Sequence, residues 1–175
     1  MGESGDDPPS VLPFYDPHPR HNGHVRISAK ADYAVRAALE LAAADDPPIK
    51  AERIAAAQGI PVKFLENILV DLRQDGLVAS HRGPEGGYRL DRPASEITVA
   101  DVIRAVDGPL ATIHGDRPES TGYTGAASEL QTIWIALRAS MRAVLETVTL
   151  TDLVEGKLPD QVRDLAREPD AWTRH

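Results

Sequence analysis

The sequence predicts a mainly α-helical fold with one small β-hairpin, and three observations support this prediction. Apolar residues recur at helical spacing, most clearly at Leu65, Ile68, Leu69 and Leu72, which fall at i, i+3, i+4 and i+7. A glycine-rich segment, residues 82–87, separates two short strand candidates. The longest apolar stripe lies near the carboxyl end, over residues 126–148.

The first 24 residues are expected to form a disordered N-terminal extension. They contain five of the 14 prolines and follow neither a helical nor a strand period. His18, His21 and His24 are regularly spaced and could bind a metal ion. A flexible polar tail accounts for the same residues without a ligand, so we favour the tail.

The first helix is predicted to run from an N-cap at Ser28 to about Ala44, where Asp45 and the prolines after it end the helix. Small or apolar residues follow one side of this helix and permit close packing of its neighbours. They are Ala34, Ala38, Leu41 and Ala42.

Two further helices follow, separated by a glycine turn at Gly59. The second is expected over Lys50 to Gln58, with Ile54 and Ala57 facing inward. The third is expected over Pro61 to Asp75, with proline in the first turn and Gly76 as the left-handed residue after its end. Its outward face repeats Lys63, Glu66, Asn67 and Val70. Helix, tight turn and helix with a polar outer face are typical of a helix-turn-helix.

A hairpin directly after such a helix is typical of the wing of a DNA-binding domain. Its strands are predicted over Leu77 to His81 and Tyr88 to Leu90, joined by a turn that contains Arg82 and Gly83. The guanidinium group of Arg82 could enter a minor groove or contact phosphate, and the glycines could let the backbone approach DNA closely. The alternative is an ordinary glycine-rich hairpin with a solvated arginine.

A fourth helix is predicted after the wing. Thr98 and Asp101 form a capping box, and Ile97 and Val102 have the spacing of a hydrophobic staple. Gly108 and Pro109 end the helix. Its buried stripe is expected to contain Val99, Val102, Ile103 and Val106.

The last long helix, about Ala126 to Val148, has a heptad-like apolar face. This face contains Leu130, Ile133, Trp134, Leu137, Met141, Val144 and Leu145, and Val148 continues it. A face of this width must be buried, either against the helix's own domain or against a second copy of the chain. We favour a homodimer, whose two-fold symmetry would place two recognition helices on a palindromic operator.

The run GIPVKFLENILVDLRQDGLVASHRGPEGGYRL, followed by ITVADVIRAVDGP, closely resembles the winged helix-turn-helix transcription regulators of the IscR, NsrR and CymR family. The resemblance covers about Val25 to Val148. It implies a homodimer that binds operator DNA, with Glu66 at the position that discriminates among bases. Many members of the family also hold an iron-sulfur cluster through three cysteines in the loop after the fourth helix.

This chain departs from the family in having no cysteine. Because such clusters are held by thiolates, we expect no iron-sulfur cluster and no other cofactor or metal. The loop over residues 109–125 offers His114, Asp116, Glu119 and Tyr123 in place of the cysteines. Asp32 matches a carboxylate ligand of NsrR-like members and could pair with His114 around a hard metal. A first-turn aspartate stabilised by the helix dipole is the interpretation we favour.

Composition is consistent with a small cytoplasmic regulator. No apolar run reaches the roughly 20 residues of a membrane span, and we see no secretory segment. The net charge of −8 is unusual for a DNA-binding protein, but residues 25–92 carry 10 basic and 10 acidic side chains. Seven basic residues of that region could gather on one surface: Arg26, Lys30, Lys50, Arg53, Lys63, Arg82 and Arg89.

The sequence therefore predicts five segments: an extension over 1–24, a winged helix-turn-helix domain over 25–108, a loop over 109–125, a dimerisation helix over 126–155 and a tail over 156–175. The predicted DNA contacts are Ser28, Lys50, Lys63, Phe64, Glu66, Asn67, Arg82 and Gly83. The expected function is a transcription regulator, in the first place a repressor, that binds double-stranded operator DNA. The alternative is a regulator controlled by a docked protein, as in CymR-type members. The sequence allows either a small molecule or a protein as the effector. It contains no arrangement of nucleophile and base that suggests an enzyme.

Overall fold

The computed structural model describes residues 27–113 and 115–173, so the predicted extension over 1–24 and His114 lie outside the described residues. Seven α-helices and one two-stranded hairpin are found in this part of the chain. They are α1 Ala29–Ala42, α2 Ala51–Gln58, α3 Val62–Gln74, β1 Val78–His81, β2 Gly87–Leu90, α4 Val99–Asp107, α5 Leu130–Leu145, α6 Leu150–Glu155 and α7 Asp160–Arg167. The fold is the mainly α-helical one with a β-hairpin that the sequence predicts.

Helix α1 lies at the centre of the winged domain, in contact with α2, α3, α4 and α6. Its N-cap is Ser28, whose side chain accepts a hydrogen bond from the backbone N–H of Ala31, as predicted. Small side chains let four helices approach its axis closely. The buried residues of α1 are Ala31, Ala34, Ala37, Ala38 and Leu41.

The helix-turn-helix forms as predicted, with two small corrections. Helix α3 buries Leu65, Ile68, Leu69 and Leu72 completely, and it begins at Val62 with Pro61 at the N-cap. In α2 the inward residues are Ile54 and Ala55, whereas Ala57 is exposed, contrary to the prediction. The reason is that the buried stripe of α2 runs through Ala51, Ile54 and Ala55, and Ala57 lies to one side of it.

The wing, which we define as β1, β2 and the turn between them, is fixed to the body of the domain. Ile49 pairs with Tyr88 through two backbone hydrogen bonds of 2.9 and 2.8 Å. A Cβ atom on Gly87 would lie 2.4 Å from the carbonyl oxygen of Ile49. This glycine therefore allows the wing to pack against its own domain, which is a different role from the close approach to DNA that the sequence suggested.

The start of α4 confirms the capping box of Thr98 and Asp101, and a second capping box lies beside it. Thr149 and Asp152 cap α6 in the same way, and the two caps pair through Thr98 and Thr149. The predicted helix over 126–148, and the segment 126–155 assigned to it, are therefore interrupted. Helix α5 ends at Leu145, because Val148 and Leu150 turn back into the core of the winged domain.

The apolar face of α5 is only partly covered by the rest of the described chain. No residue of α5 falls in the fully buried class among the residues that the structure describes, and Ile133 is 57% exposed. Leu145, at the end of the helix, packs against the core. The predicted tail contains α7 and a 3₁₀ turn at Pro169–Trp172. Within the described ranges, no helix is long and apolar enough to cross a membrane.

Candidate nucleic-acid interface

A groove of about 550 Å³ lies between α3, the start of α2 and the wing. We call it the recognition groove. Glu66 and Arg73 contribute from α3, Lys50 lies at the N-cap of α2, and the wing contributes Arg82 and Gly83. Helix and wing thus form two walls of one concave surface, which is the arrangement by which winged helices contact a major groove and the DNA beside it.

The outward face of α3 is set by its buried stripe. Because the leucines and Ile68 face the core, Lys63, Glu66 and Asn67 must face solvent, and all three are exposed. Lys63 and Asn67 border a shallow apolar surface around Phe64. The face therefore presents an ammonium group, a carboxylate and a carboxamide, whose donors and acceptors suit base edges and phosphates.

Phe64 is held in place by a stack of side chains from α1. Its ring meets the ring of Tyr33 edge to face, with 5.7 Å between centroids, and Arg36 lies 5.3 Å from the centroid of Tyr33. The guanidinium group of Arg36 donates to Oε1 of Gln58 at 3.0 Å and also to the backbone carbonyl of Gln58. This network joins α1, α2 and α3, and it fixes the first turn of α3.

The wing presents its arginine at the turn. Arg82 is exposed, and Gly83 has φ of 110°, a conformation that favours glycine. Nη1 of Arg73 lies 3.4 Å from Oγ of Ser80, a contact that links α3 to β1. On the strands, Nε of Arg89 donates to Nε2 of His81 at 2.8 Å. The hairpin that carries Arg82 is therefore linked to α3 and stabilised by side-chain hydrogen bonds.

The structure brings only part of the predicted DNA-contact set together. Ser28 lies away from the recognition groove, in a cavity with Asp107 and Met141, and its hydroxyl donates to the Asp107 carboxylate at 2.5 Å. Since the same oxygen also caps α1, local contacts within the domain account for this serine. Ser28 thus lines neither the recognition groove nor the surface around Phe64.

The single basic surface expected from the sequence is also divided. Lys30 pairs with Asp71 at 2.8 Å and donates to the carbonyl of Val106. Arg53 borders a different cavity, with Asp45 and Asp46. Arg26 lies outside the described residues. Basic residues that are far apart in the sequence need not lie on one face. Here Lys50 and Arg82 share the recognition groove, whereas Lys30 and Arg53 do not line it.

The sequence did not predict five polar or aromatic side chains that line the groove: Glu52, Arg73, Ser80, His81 and Tyr88. Arg73 could have been predicted, because Glu66, Val70 and Arg73 follow at i, i+4 and i+7 on the outward face of α3. The wing residues carry no such signal, since the face of a four-residue strand depends on the register of the hairpin.

The loop over 109–125 does not fit an iron-sulfur cluster. The chain has no cysteine, and part of the loop is held by protein groups: Gln131 donates to the carbonyl of Thr121 at 2.6 Å, and Arg138 pairs with Glu119 at 2.5 Å. Asp32, the other suggested metal ligand, pairs with Arg36 at 3.2 Å. Thiolate ligation is therefore absent from this chain.

Comparison with known proteins agrees with this geometry. A family model described as "Rrf2: Iron-dependent Transcriptional regulator" matches residues 27–156. A protein of Mycobacterium tuberculosis strain H37Rv, named as an HTH-type transcriptional regulator, is 52% identical over 158 residues, which cover 86% of this chain and 96% of the relative. The HTH-type transcriptional regulator IscR of Pectobacterium carotovorum is 38% identical over 152 residues, with 86% and 90% covered.

Solved structures give the same result. CymR, the global cysteine regulator of B. subtilis, is 30% identical and superimposes with a TM-score of 0.64 over 76% of this chain and 98% of CymR. IscR of T. potens is 28% identical, with a TM-score of 0.59 over 86% and 93%. The relatives are named as transcription regulators and not as enzymes. The resemblance inferred from the sequence is confirmed: the chain belongs to the Rrf2 family of helix-turn-helix transcription regulators.

Proposed function

We propose that this chain is a sequence-specific repressor that binds a palindromic operator as a homodimer in the cytoplasm, without an iron-sulfur cluster. The observation that carries the proposal is the recognition groove, in which Glu66 of α3 and Arg82 of the wing line one concave surface. Repression is the simplest consequence of a dimer that covers its operator, and it requires no contact with the transcription machinery.

The proposed DNA contacts are Lys50, Lys63, Phe64, Glu66, Asn67, Arg82 and Gly83. Glu66 would accept a hydrogen bond from cytosine N4, while Lys50, Lys63 and Arg82 would contact phosphates or the minor groove. Phe64 would act through packing on Tyr33, and Gly83 would shape the turn of the wing. We omit Ser28 from this set, because its hydroxyl is shared between Ala31 and Asp107.

The proposed dimer contact is the face of α5 formed by Leu130, Ile133, Trp134, Leu137, Met141, Val144 and Leu145. Ile133 supports this most directly, because a large aliphatic side chain with 57% exposure gains from being covered. The same face is also the observation in favour of the second candidate function, control of DNA binding by a docked protein. A second copy is simpler, since it requires no further molecule.

Genome-wide pull-down of DNA bound to the tagged full chain tests the proposal. We expect a small set of sites that share an inverted repeat, and higher transcription from the adjoining promoters when the gene is deleted. Recovery of sites without a shared inverted repeat would contradict the homodimer. Lower transcription in the deletion strain would contradict repression and indicate an activator.

A further inference from the structure

A second cavity, of about 410 Å³, lies between the end of α4, the loop over 109–125 and α5. We call it the arginine cavity. Four arginines line it: Arg104 of α4, Arg117 of the loop, and Arg138 and Arg142 of α5. They are half of the eight basic residues that follow residue 92, in a chain with a net charge of −8. Such a gathering of like charges is costly unless anions lie nearby.

The protein's own carboxylates satisfy these arginines only in part. Glu146 is shared between Arg104 and Arg142, with the Arg142 contact at 3.0 Å, and Asp101 lies 3.5 Å from Arg104. Glu119 pairs with Arg138 and is the one acidic residue that lines the cavity itself. Arg117 makes no salt bridge with any residue that the structure describes.

Hydrogen bonds from arginine lower the pKa of Glu146 and of Glu119. Both carboxyl groups therefore stay ionised near neutral pH, and each neutralises one guanidinium group at most. Four guanidinium groups thus face three carboxylates, and the side turned to the cavity is the more positive one.

The walls of the cavity are held in place before any ligand arrives. Gln131 of α5 donates to the carbonyls of Thr121 and Glu119 at 2.6 and 3.2 Å, which ties the loop to the helix. Arg138 and Arg142 lie one helical turn apart and so project from one side of α5. A binding site that is already ordered loses less conformational entropy when it is filled.

Ala111 provides an independent observation on the same cavity. This lining residue has φ of 52°, and it is the one non-glycine residue with positive φ in the described ranges. An alanine in this conformation is disfavoured, because its Cβ atom comes close to the following carbonyl oxygen. Backbone strain of this kind concentrates at ligand sites, where the surrounding structure maintains it for function.

We propose that the arginine cavity binds a small organic or inorganic anion with two or more negative charges, either a polycarboxylate or a phosphate compound. Guanidinium groups match the planar carboxylate and the phosphate through paired hydrogen bonds. The volume suits a small metabolite. None of the four arginines lines the recognition groove, so the cavity is a site distinct from the proposed DNA surface.

Calorimetric titration of the full chain tests this proposal with two probes, inorganic pyrophosphate and citrate, at constant ionic strength. We expect saturable binding of at least one probe with one site per chain. The probe that binds more tightly identifies the phosphate or the polycarboxylate class. Sodium chloride at the same ionic strength should give no saturable heat, because it supplies single charges only.

Arg117→Ala is the decisive variant. Arg117 is exposed and makes no salt bridge with a described residue, so its removal should leave the fold intact while it weakens probe binding about tenfold or more. Arg138→Lys keeps the charge beside Glu119 but loses the guanidinium fork, and we expect an intermediate loss. The matched control is Arg167→Ala on α7, whose side chain is 75% exposed and outside the cavity.

Absence of saturable binding by both probes would overturn the inference, as would equal binding by the wild type and Arg117→Ala. Operator binding, measured in parallel without any anion, separates this inference from the proposed function. A chain that binds its operator but neither probe would retain the proposed function and lose the anion site. A chain that binds a probe but no DNA would do the reverse.

Discussion

At the scale of single residues, Glu66 and Arg82 line the same groove but differ in what they can recognise. Glu66 is exposed on α3, a rigid element that can place a carboxylate against a base edge. Arg82 is exposed on the turn of the wing, where its charge can contact any phosphate or narrow minor groove. We therefore propose that Glu66 discriminates among bases and that Arg82 contributes affinity.

Replacement of Glu66 by Ala should relax preference at one base pair in each half-site. A carboxylate accepts a hydrogen bond from cytosine N4 and is repelled by the acceptors of other bases. Its loss should therefore mainly remove this repulsion. Total affinity for mixed DNA should stay similar or rise. Selection from a randomised operator library measures the preference, with Glu96→Ala as the control, since Glu96 is exposed in the 3₁₀ turn after the wing. Unchanged preference at every position would remove Glu66 from base recognition.

Replacement of Arg82 by Ala should weaken binding to all sequences by about 1 to 3 kcal/mol per half-site. The lost contact is with phosphate or the minor groove, so the dependence of affinity on salt should also become shallower. Titrations at several salt concentrations measure both effects, and Arg167→Ala provides the matched charge control. An unchanged salt dependence would show that the wing arginine does not contact DNA.

Residue positions were predictable where one helical period fixed them. Lys63, Glu66 and Asn67 face outward because Leu65, Ile68 and Leu69 face inward. Other residues depend on contacts between distant segments. Gly87 must lack a Cβ atom because the backbone carbonyl of Ile49 lies against it, and the hydroxyl of Ser28 donates to the carboxylate of Asp107. Neither contact follows from local spacing.

At the scale of elements, the paired starts of α4 and α6 join the C-terminal segment to the winged domain. The amide of Val99 donates to the carbonyl of Val148, and that of Leu150 donates to the carbonyl of Ile97, both at 2.9 Å. Each helix begins at its own threonine cap. The pair therefore fixes the point where the chain leaves α5 and returns to the core.

Thr149→Ala should lower the free energy of unfolding by about 1 kcal/mol at neutral pH through loss of the cap. Hydrogen bonds from the Thr149 side chain and backbone lower the pKa of Asp152 below its ordinary value of 3.8. Stability from a depressed carboxyl pKa is present above the unfolded-state value and is lost as pH falls through the folded-state value. The difference in free energy of unfolding between the wild type and Thr149→Ala should therefore shrink below about pH 4.

Urea unfolding at a series of pH values measures this deficit. Thr151→Ala, in the first turn of α6 but outside the hydrogen bonds of the capping box, is the control and should show no such pH dependence. A deficit for Thr149→Ala that stays constant down to pH 3 would contradict the role of the Asp152 carboxylate.

The partly buried apolar face of α5 leads to a second prediction at this scale. Ile133→Asp should give monomers, since the carboxylate would be buried in an apolar contact at a cost of several kcal/mol. Ile133 is a sharper choice than Trp134, whose indole nitrogen is already buried within the chain. Light scattering measures the mass. Ala139→Asp, on the opposite side of the helix, should remain dimeric, and a dimeric Ile133→Asp would rule out this face.

The existence of α5 was predictable from its heptad-like spacing, but its end was not. No glycine or proline lies between Leu145 and Leu150, and the apolar pattern continues through Val148. The break arises because Val148 and Leu150 gain more from burial in the winged domain than from continuation of the helix. The turn is therefore a tertiary effect.

At the scale of the whole molecule, charge is separated into two sites. The recognition groove draws on Lys50, Arg73 and Arg82, while the arginine cavity collects Arg104 of the winged domain and three arginines beyond it. Family membership and the fold could be predicted from sequence, because RGPEGGY and the helical periods are local. The division of charge could not be, since it depends on how α5 and the loop over 109–125 pack on α4.

We propose that a cluster-free homodimer recognises a palindromic operator through the recognition groove. Hydroxyl-radical footprinting of the full chain on a recovered operator, under air and anaerobically, tests it most directly. We predict two protected half-sites spaced by whole turns of the double helix, and the same affinity in both atmospheres, because the chain has no thiol to oxidise. Protection of a single half-site would contradict the homodimer, and a footprint that disappears under air would contradict DNA binding without an oxygen-sensitive cofactor.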